Sequence, residues 1–145
     1  MSRALMRARC RAAAALGTAQ LAGWRFLITQ DGYASIEPAA GEVVHGVLWR
    51  LTPRDLAAIV AYEALAVGLY RRRALAVRTD AGRRVQALTF IARATGEGRP
   101  RAGYLDLVVA AARDWGLPDG YIRVLARRSR SRWRGPRAAE IGELV

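Results

Sequence analysis

The sequence predicts an α+β domain in which helices flank a set of mostly consecutive strands. Its 145 residues correspond to about one domain, and 52% apolar residues are enough to form a core. Hydrophobic periodicity gives the order helix, three strands, helix, two strands, helices. Because strands follow one another, a regular βαβ fold is excluded. We expect one domain at residues 1–126 and an arginine-rich tail at residues 127–145.

The first half of the chain predicts one helix and three strands. Strong helix formers with a Ser2 cap predict a helix over residues 2–16. Alternating apolar residues predict a strand over 17–28, with a bulge or a close backbone approach at Gly23. Two further strands are predicted at 33–37 and 43–51, separated by a short loop that contains Pro38 and Gly41.

The second half predicts a helix, a β-hairpin and two more helices, at residues 53–65, 69–78 with 83–92, 102–115 and 118–128. Thr52 is a hydroxyl cap, Pro53 suits the first helical position and Asp55 places an acid in the first turn. Asp80 and Gly82 mark the hairpin turn.

The net charge of +12 favours nucleic acid as a partner at first sight. All 24 basic residues are arginine, and six of them lie between Arg127 and Arg137. No zinc finger, aromatic RNA-binding signature or helix-turn-helix accompanies them, so a compositional bias explains most of this charge better. Nucleic-acid binding through the tail stays an unfavoured alternative. No apolar run reaches the roughly 18 residues of a membrane-spanning helix, so no membrane role is expected.

A single cysteine, Cys10, and a single histidine, His45, exclude an internal disulfide and a Cys/His zinc cluster. No phosphate-binding glycine loop is present, so no metal and no cofactor are expected. The basic N-terminus lacks the continuous apolar stretch of a signal peptide, which favours a cytoplasmic location. Cys10 and His45 are best interpreted as packing residues, since the sequence offers neither of them a partner for catalysis.

Three polar side chains are candidates for chemistry. Glu63 is the only acid between Asp55 and Asp80 and lies near the end of an apolar helical run, where partial burial would raise its pKa and make it a general base. A solvated glutamate at a helix end is the commoner case. Tyr70 and Tyr104 could offer hydroxyls to a small ligand, although most such tyrosines are core residues with one hydrogen bond.

The order of several short segments resembles the gamma-glutamylcyclotransferase-like (AIG2-like) proteins over nearly the whole chain. The similarity rests on segments that keep the family's order and spacing: residues 16–26, 34–36 with 43–51, 52–56 with Tyr62-Glu63 and Gly68-Leu69-Tyr70, Arg99-Pro100 with Tyr104, and Gly116-Leu117-Pro118 with Tyr121.

The resemblance implies a mixed β-barrel flanked by helices, with a pocket for a small-molecule gamma-glutamyl substrate. The implied reaction is cyclisation to 5-oxoproline with release of an amine, amino acid or dipeptide. Glu63 matches the family's catalytic glutamate, and Tyr70 and Tyr104 match tyrosines of the substrate pocket. The general acid/base would be Glu63, and no cofactor is implied.

The sequence departs from the family pattern at its beginning and beside Glu63. The family's first strand and its Tyr-Gly-Ser-Asn loop have no match, and Met1 aligns just after that loop. Val60 replaces a common aspartate, and Ala64 replaces a usual glycine. We therefore expect Met1 to be an internal methionine of a longer protein. The alternative is a truncated, non-catalytic homologue that acts as a binding module.

Overall fold

A computed structural model describes residues 2–65, 68–93 and 96–129, with the side chains of 62–65, 128 and 129 outside the description. The elements in chain order are α1 (Arg3–Arg9), β1 (Ala14–Ile28), β2 (Ala34–Arg50), α2 (Pro53–Leu65), β3 (Tyr70–Thr79), β4 (Arg84–Ala92), α3 (Tyr104–Asp114) and α4 (Asp119–Ser129). The α+β prediction is confirmed, and the predicted helix at 53–65 matches α2. Most of the predicted arginine-rich tail lies outside the described residues.

The strands form one four-stranded sheet in the order β2-β1-β3-β4, and every described pair is antiparallel. The sheet is therefore open, with β2 and β4 as its edges, and does not close into the barrel that the resemblance implied. Only two residue pairs join β1 to β3, whereas the β1–β2 and β3–β4 hairpins are paired along most of their length.

The predicted first helix is too long by seven residues. It ends at Cys10, whose backbone is extended (φ −131°, ψ 84°), and Ala14 already pairs with Arg50 in the sheet. Strand pairing with β2 here overrides the helix propensity of the alanine run. Leu16, the last residue but one before Thr18, lies on β1 instead of in the predicted helix, with 49% of its surface exposed.

The two strands predicted at 33–37 and 43–51 are parts of one strand, β2. The register changes sharply between them, because Ala22 pairs with Val43 whereas Trp24 pairs with Pro38. Four residues of β2 therefore lie opposite Gly23, whose φ of 77° suits glycine. The bulge predicted at Gly23 is confirmed, and the predicted loop is the wide side of this bulge.

The structure has two separate hydrophobic clusters. One cluster is formed by strand residues and contains Ala19, Leu21, Leu75, Val77 and Ile91. The other joins α3 and α4 to the sheet through Phe26 and contains Val109, Ala112, Leu117, Ile122 and Leu125. Edge-to-face packing of Trp49 on Trp115 and the contact of His45 with Tyr121 also attach β2 to these helices.

Candidate functional site

Tyr70 and Tyr104 lie 34 positions apart in the sequence, and their hydroxyl groups meet on the backbone of Ala34. The Tyr70 hydroxyl donates to the carbonyl oxygen of Ala34 at 3.2 Å. The Tyr104 hydroxyl accepts from the amide N–H of the same residue at 3.2 Å. Both tyrosines are half-buried. The structure thus brings two of the three predicted site residues together.

Ala34 is available to the tyrosines because of its register in the β1–β2 hairpin. Its Cα partner is Ile28, and the neighbouring pair is joined by the hydrogen bond from Thr29 N–H to Tyr33 C=O at 2.8 Å. Hydrogen-bonded and non-hydrogen-bonded pairs alternate in an antiparallel ladder, so the polar groups of Ala34 point away from β1. The two hydroxyls take the place that a further strand would fill on this edge.

At the same end of the molecule, side chains connect the two edge strands. Ser35 is buried, and its hydroxyl accepts from the amide N–H of Ala92 at 2.9 Å. Ser35 belongs to β2 and Ala92 to β4, so this bond joins the two edges across the gap. The sheet therefore curls almost into a barrel at the candidate site while staying open along the rest of its edges.

Tyr104 is positioned by the loop that precedes α3, because this loop is bonded to the β1–β2 turn. Gly98 N–H donates to the Ile28 carbonyl at 2.7 Å, and Thr29 forms an isolated bridge with Glu97. Gly98 lies so close to Thr29 that a Cβ at this position would be 2.2 Å from the Thr29 carbonyl oxygen. The loop therefore requires glycine for steric reasons.

Aromatic and ionic contacts support the same loop. The Tyr33 ring meets that of Tyr104 edge to face, with centroids 5.4 Å apart, and the Arg101 guanidinium lies 4.6 Å from the Tyr33 centroid. Arg25 bonds to Glu37 and, at 2.9 Å, to Glu97. These carboxylates, Glu37 first, raise the pKa of Arg25, which keeps the guanidinium charged. This anchoring of the loop was not predicted from the sequence, although a glycine between charged residues at Gly98 is a detectable signal.

Glu63 belongs to the last part of α2, one helical turn after Ile59, and its side chain lies outside the described residues. The start of α2 is firmly fixed. Asp55 N–H donates to the Thr52 hydroxyl at 3.1 Å, and the Asp55 carboxylate accepts from Thr52 N–H at 3.1 Å, which forms a reciprocal cap. The hydrogen bonds from Thr52 are the main reason why the pKa of Asp55 is lowered.

His45 and Cys10 both lie outside this site. His45 packs on Tyr121, with ring centroids 4.9 Å apart, and burial lowers its pKa although the charge of Asp80 acts in the opposite direction. Cys10 is buried, donates to the Asp55 carbonyl oxygen at 3.6 Å, and has its pKa raised by burial first and by Asp55 second. The packing roles expected for both residues are thus consistent with their surroundings.

No described helix is both long enough and apolar enough to cross a membrane. Among the described residues, no group of three or more His, Cys, Asp or Glu side chains is placed to hold a metal ion.

Solved structures with the same fold identify the class of domain. A structure titled "Gamma-glutamyl cyclotransferase" matches with a TM-score of 0.80 and 19% identity, covering 97% of this chain and 86% of that one. An uncharacterized protein from Homo sapiens matches with a TM-score of 0.78 and 19% identity, covering 95% and 85%. YkqA from Bacillus subtilis matches with a TM-score of 0.76 and 23% identity, covering 92% of this chain and 50% of that one. The fold is therefore that of the gamma-glutamylcyclotransferase-like proteins.

The sequence also matches the model of the AIG2-like family over residues 43–125, which is more than half of the chain. The protein belongs to the AIG2-like family. No curated protein sequence matches it. The family segment includes α2, the β3–β4 hairpin and the loop before α3, and therefore all three predicted site residues.

Proposed function

We propose that the protein cyclises a gamma-glutamyl compound to 5-oxoproline and releases an amine or amino acid, in the cytoplasm and without a cofactor. The observation that carries this proposal is the meeting of Tyr70 and Tyr104 on Ala34, in a domain of the gamma-glutamylcyclotransferase-like fold. The hydroxyls lie at one end of the sheet, where the loop before α3 and the two strand edges come together. A small substrate bound there would lie against half-buried tyrosines.

The reaction needs few catalytic groups. The α-amine of the gamma-glutamyl unit attacks its own γ-carbonyl carbon, and the bond from that carbon to the leaving nitrogen breaks. Ring closure is intramolecular, so holding the substrate bent supplies most of the required proximity. In the proposed mechanism Glu63 takes a proton from the ammonium group before attack and returns one to the leaving nitrogen. No water is consumed, and the products are 5-oxoproline and a free amine.

Tyr70 and Tyr104 are proposed to form the wall of the substrate pocket rather than to transfer protons. Each hydroxyl has a backbone partner on Ala34, so each ring is held in a fixed position. A fixed ring can orient a short aliphatic chain by contact at little entropic cost. The same hydrogen bonds would also occur in a protein that only binds gamma-glutamyl compounds, which is the second candidate function.

The deciding experiment is a 5-oxoproline assay on the purified chain with glutathione, a gamma-glutamyl amino acid and a gamma-glutamyl amine. We expect turnover of at least one substrate and its loss in Glu63→Gln. A matched control is Glu42→Gln, which neutralises an exposed carboxylate of β2 and should retain full activity. Full turnover by Glu63→Gln would exclude Glu63 as the base. Binding of a gamma-glutamyl compound without any turnover would favour the non-catalytic binding module.

The arginine-rich tail provides the other alternative. Residues 130–145 lie outside the described part of the chain, and nucleic-acid binding through the tail stays an unfavoured prediction. Such binding would weaken steeply with salt and would be lost on deletion of residues 127–145, while cyclisation would continue.

A further inference from the structure

Arg101 lies in the loop before α3, three positions ahead of Tyr104, and it is held in place although it is exposed. Its backbone carbonyl accepts from the Tyr104 N–H at 3.1 Å, and its own N–H donates to the Gly32 carbonyl at 3.2 Å. The Nε–H of its guanidinium donates to the backbone carbonyl of Asp31 at 3.2 Å. Arg101 is therefore bonded both to the β1–β2 turn and to the first residue of α3.

Packing fixes the rest of the Arg101 side chain. A Cβ at Gly32 would lie 2.7 Å from the Arg101 Cγ, so the aliphatic part of the arginine lies directly on this glycine. Gly32 has a φ of 85°, a conformation that also favours glycine. The guanidinium carbon lies 4.6 Å from the Tyr33 ring centroid, within the range of a cation–π contact. The guanidinium is thus preorganised, and little conformational entropy remains to be lost when it binds a ligand.

The charge of Arg101 is not matched by a carboxylate of the described residues. A guanidinium has five N–H groups, and Arg101 uses its Nε–H on Asp31. Within residues 2–65, 68–93 and 96–129, no acceptor meets the N–H groups on its two Nη atoms and no ion pair includes it. Arg25, which contacts the same loop, is by contrast bonded to both Glu37 and Glu97. Arg101 therefore presents a planar fork of donors that matches a carboxylate.

The guanidinium of Arg101 is close enough to the tyrosine site to reach one end of a bound substrate. The Tyr33 ring contacts this guanidinium and also, with centroids 5.4 Å apart, the Tyr104 ring. The two contacts put the guanidinium carbon at most about 10 Å from the Tyr104 centroid. Two to three extended residues span about 7–11 Å, which is the length range of a gamma-glutamyl amino acid. A substrate whose gamma-glutamyl part lies against Tyr104 can therefore place its terminal carboxylate at Arg101.

We propose that Arg101 binds the carboxylate of the leaving amino acid or dipeptide and so determines which gamma-glutamyl compounds the protein uses. Gamma-glutamyl amino acids and gamma-glutamyl dipeptides carry this carboxylate, whereas gamma-glutamyl amines lack it. The protein then prefers the first two classes. Arg101 acts in binding and not in proton transfer, because an arginine side chain does not lose its proton in a protein. This inference rests on the proposed function of the tyrosine site.

The test uses two substrates that differ only in the carboxylate, gamma-glutamyl-alanine and gamma-glutamyl-ethylamine. We expect the unchanged chain to have the higher kcat/KM for gamma-glutamyl-alanine. Arg101→Gln should lower this value by about five- to tenfold, mainly through KM, which lies between the effects of an exposed ion pair and of a hydrogen bond to a charged group. The value for gamma-glutamyl-ethylamine should not change, because this substrate has no group for Arg101 to bind.

Arg99→Gln is the matched control, because it removes the same charge from the same loop. Arg99 is exposed and has no ring contact or ion pair within the described part of the chain, so kcat/KM should stay the same for both substrates. Arg101→Lys keeps the charge without the planar fork and should recover only part of the preference. An equal loss for both substrates in Arg101→Gln would show that Arg101 only supports the loop. An equal loss in Arg99→Gln would show a general effect of charge, and either result would overturn the proposal.

The role of Arg101 and the cyclisation reaction can fail separately. Turnover of both substrates with equal kcat/KM in the unchanged chain would support cyclisation and overturn the role of Arg101. If neither substrate is turned over, calorimetric titration with the same two compounds decides. Tighter binding of gamma-glutamyl-alanine that is lost in Arg101→Gln would support the role of Arg101 in a non-catalytic binding module. Binding of neither compound would overturn both proposals.

Discussion

Replacement of Gly98 by alanine tests whether the loop that carries Tyr104 depends on close backbone contact with the β1–β2 turn. An alanine Cβ would lie 2.2 Å from the Thr29 carbonyl oxygen and 2.5 Å from the Gln30 Cα. Both atoms belong to the backbone, so the clash cannot be relieved by a side-chain rotation. The loop would have to move by about 1 Å to reach ordinary contact distance. That movement would break the hydrogen bond from Gly98 N–H to the Ile28 carbonyl, which is 2.7 Å long.

The expected magnitude combines two effects. Overpacking typically destabilises by about 1–3 kcal/mol, and loss of one hydrogen bond adds about 1 kcal/mol. For a chain near 150 residues, a total of about 2–4 kcal/mol lowers the Tm by roughly 4–16 °C. Gly46→Ala is the matched control, because no heavy atom lies within 4 Å of a Cβ there and Gly46 does not have a positive φ. Circular dichroism during thermal unfolding measures the Tm of each variant. Equal Tm values for the two variants would refute the steric argument.

Three further predictions concern named side chains. Tyr104→Phe removes the acceptor of the Ala34 N–H and should raise KM several-fold. Tyr33→Phe keeps the ring that contacts Tyr104 and should leave KM unchanged. Equal KM values for the two variants would contradict the pocket assignment. His45 is the only histidine and burial lowers its folded pKa below the unfolded value, so the unfolded chain binds more protons and stability falls as pH drops through about 6.5. Denaturant titrations at pH 5.5 and 8 measure the free energy of unfolding, and the difference between the two pH values should be smaller in His45→Phe than in the unchanged chain. An equal difference in both would contradict this prediction. Asp55 has a lowered pKa in the folded state, so the stability that it contributes is present above the unfolded pKa of about 3.9 and is lost as the pH falls further. In an acid titration Asp55→Asn should lose less stability below this pH than the unchanged chain does. An equal loss in both would contradict this reasoning.

The elements that the sequence predicted well are those with local signals. The start of α2 needed only Thr52, Pro53 and Asp55, whose capping preferences act within four residues, and the β3–β4 hairpin needed the turn at Asp80 and Gly82. The boundary between α1 and β1 could not be predicted in this way. Residues 14–16 have high helix propensity and become a strand only because β2 pairs with them from more than 30 positions away.

The candidate site was predictable in its residue types but not in its geometry. Tyr70 and Tyr104 were candidates because of their hydroxyls and because of the family resemblance, but nothing in either local sequence indicates that both would bond to Ala34. That contact depends on register, since a shift of one residue would turn the polar groups of Ala34 towards β1. The structural role of Ser35 was missed for the same reason, because a serine within a predicted strand shows no sign of a partner on the distant edge strand β4.

The open sheet and the tyrosine site have a common physical basis. An edge strand exposes unpaired backbone groups, and proteins satisfy or cover them by several means. In this molecule the tyrosine hydroxyls satisfy the polar groups of Ala34 on the edge of β2, and the Ser35 hydroxyl satisfies the amide N–H of Ala92 on the edge of β4. The almost closed barrel is therefore a consequence of side chains that complete the edges of the sheet at this end of the molecule.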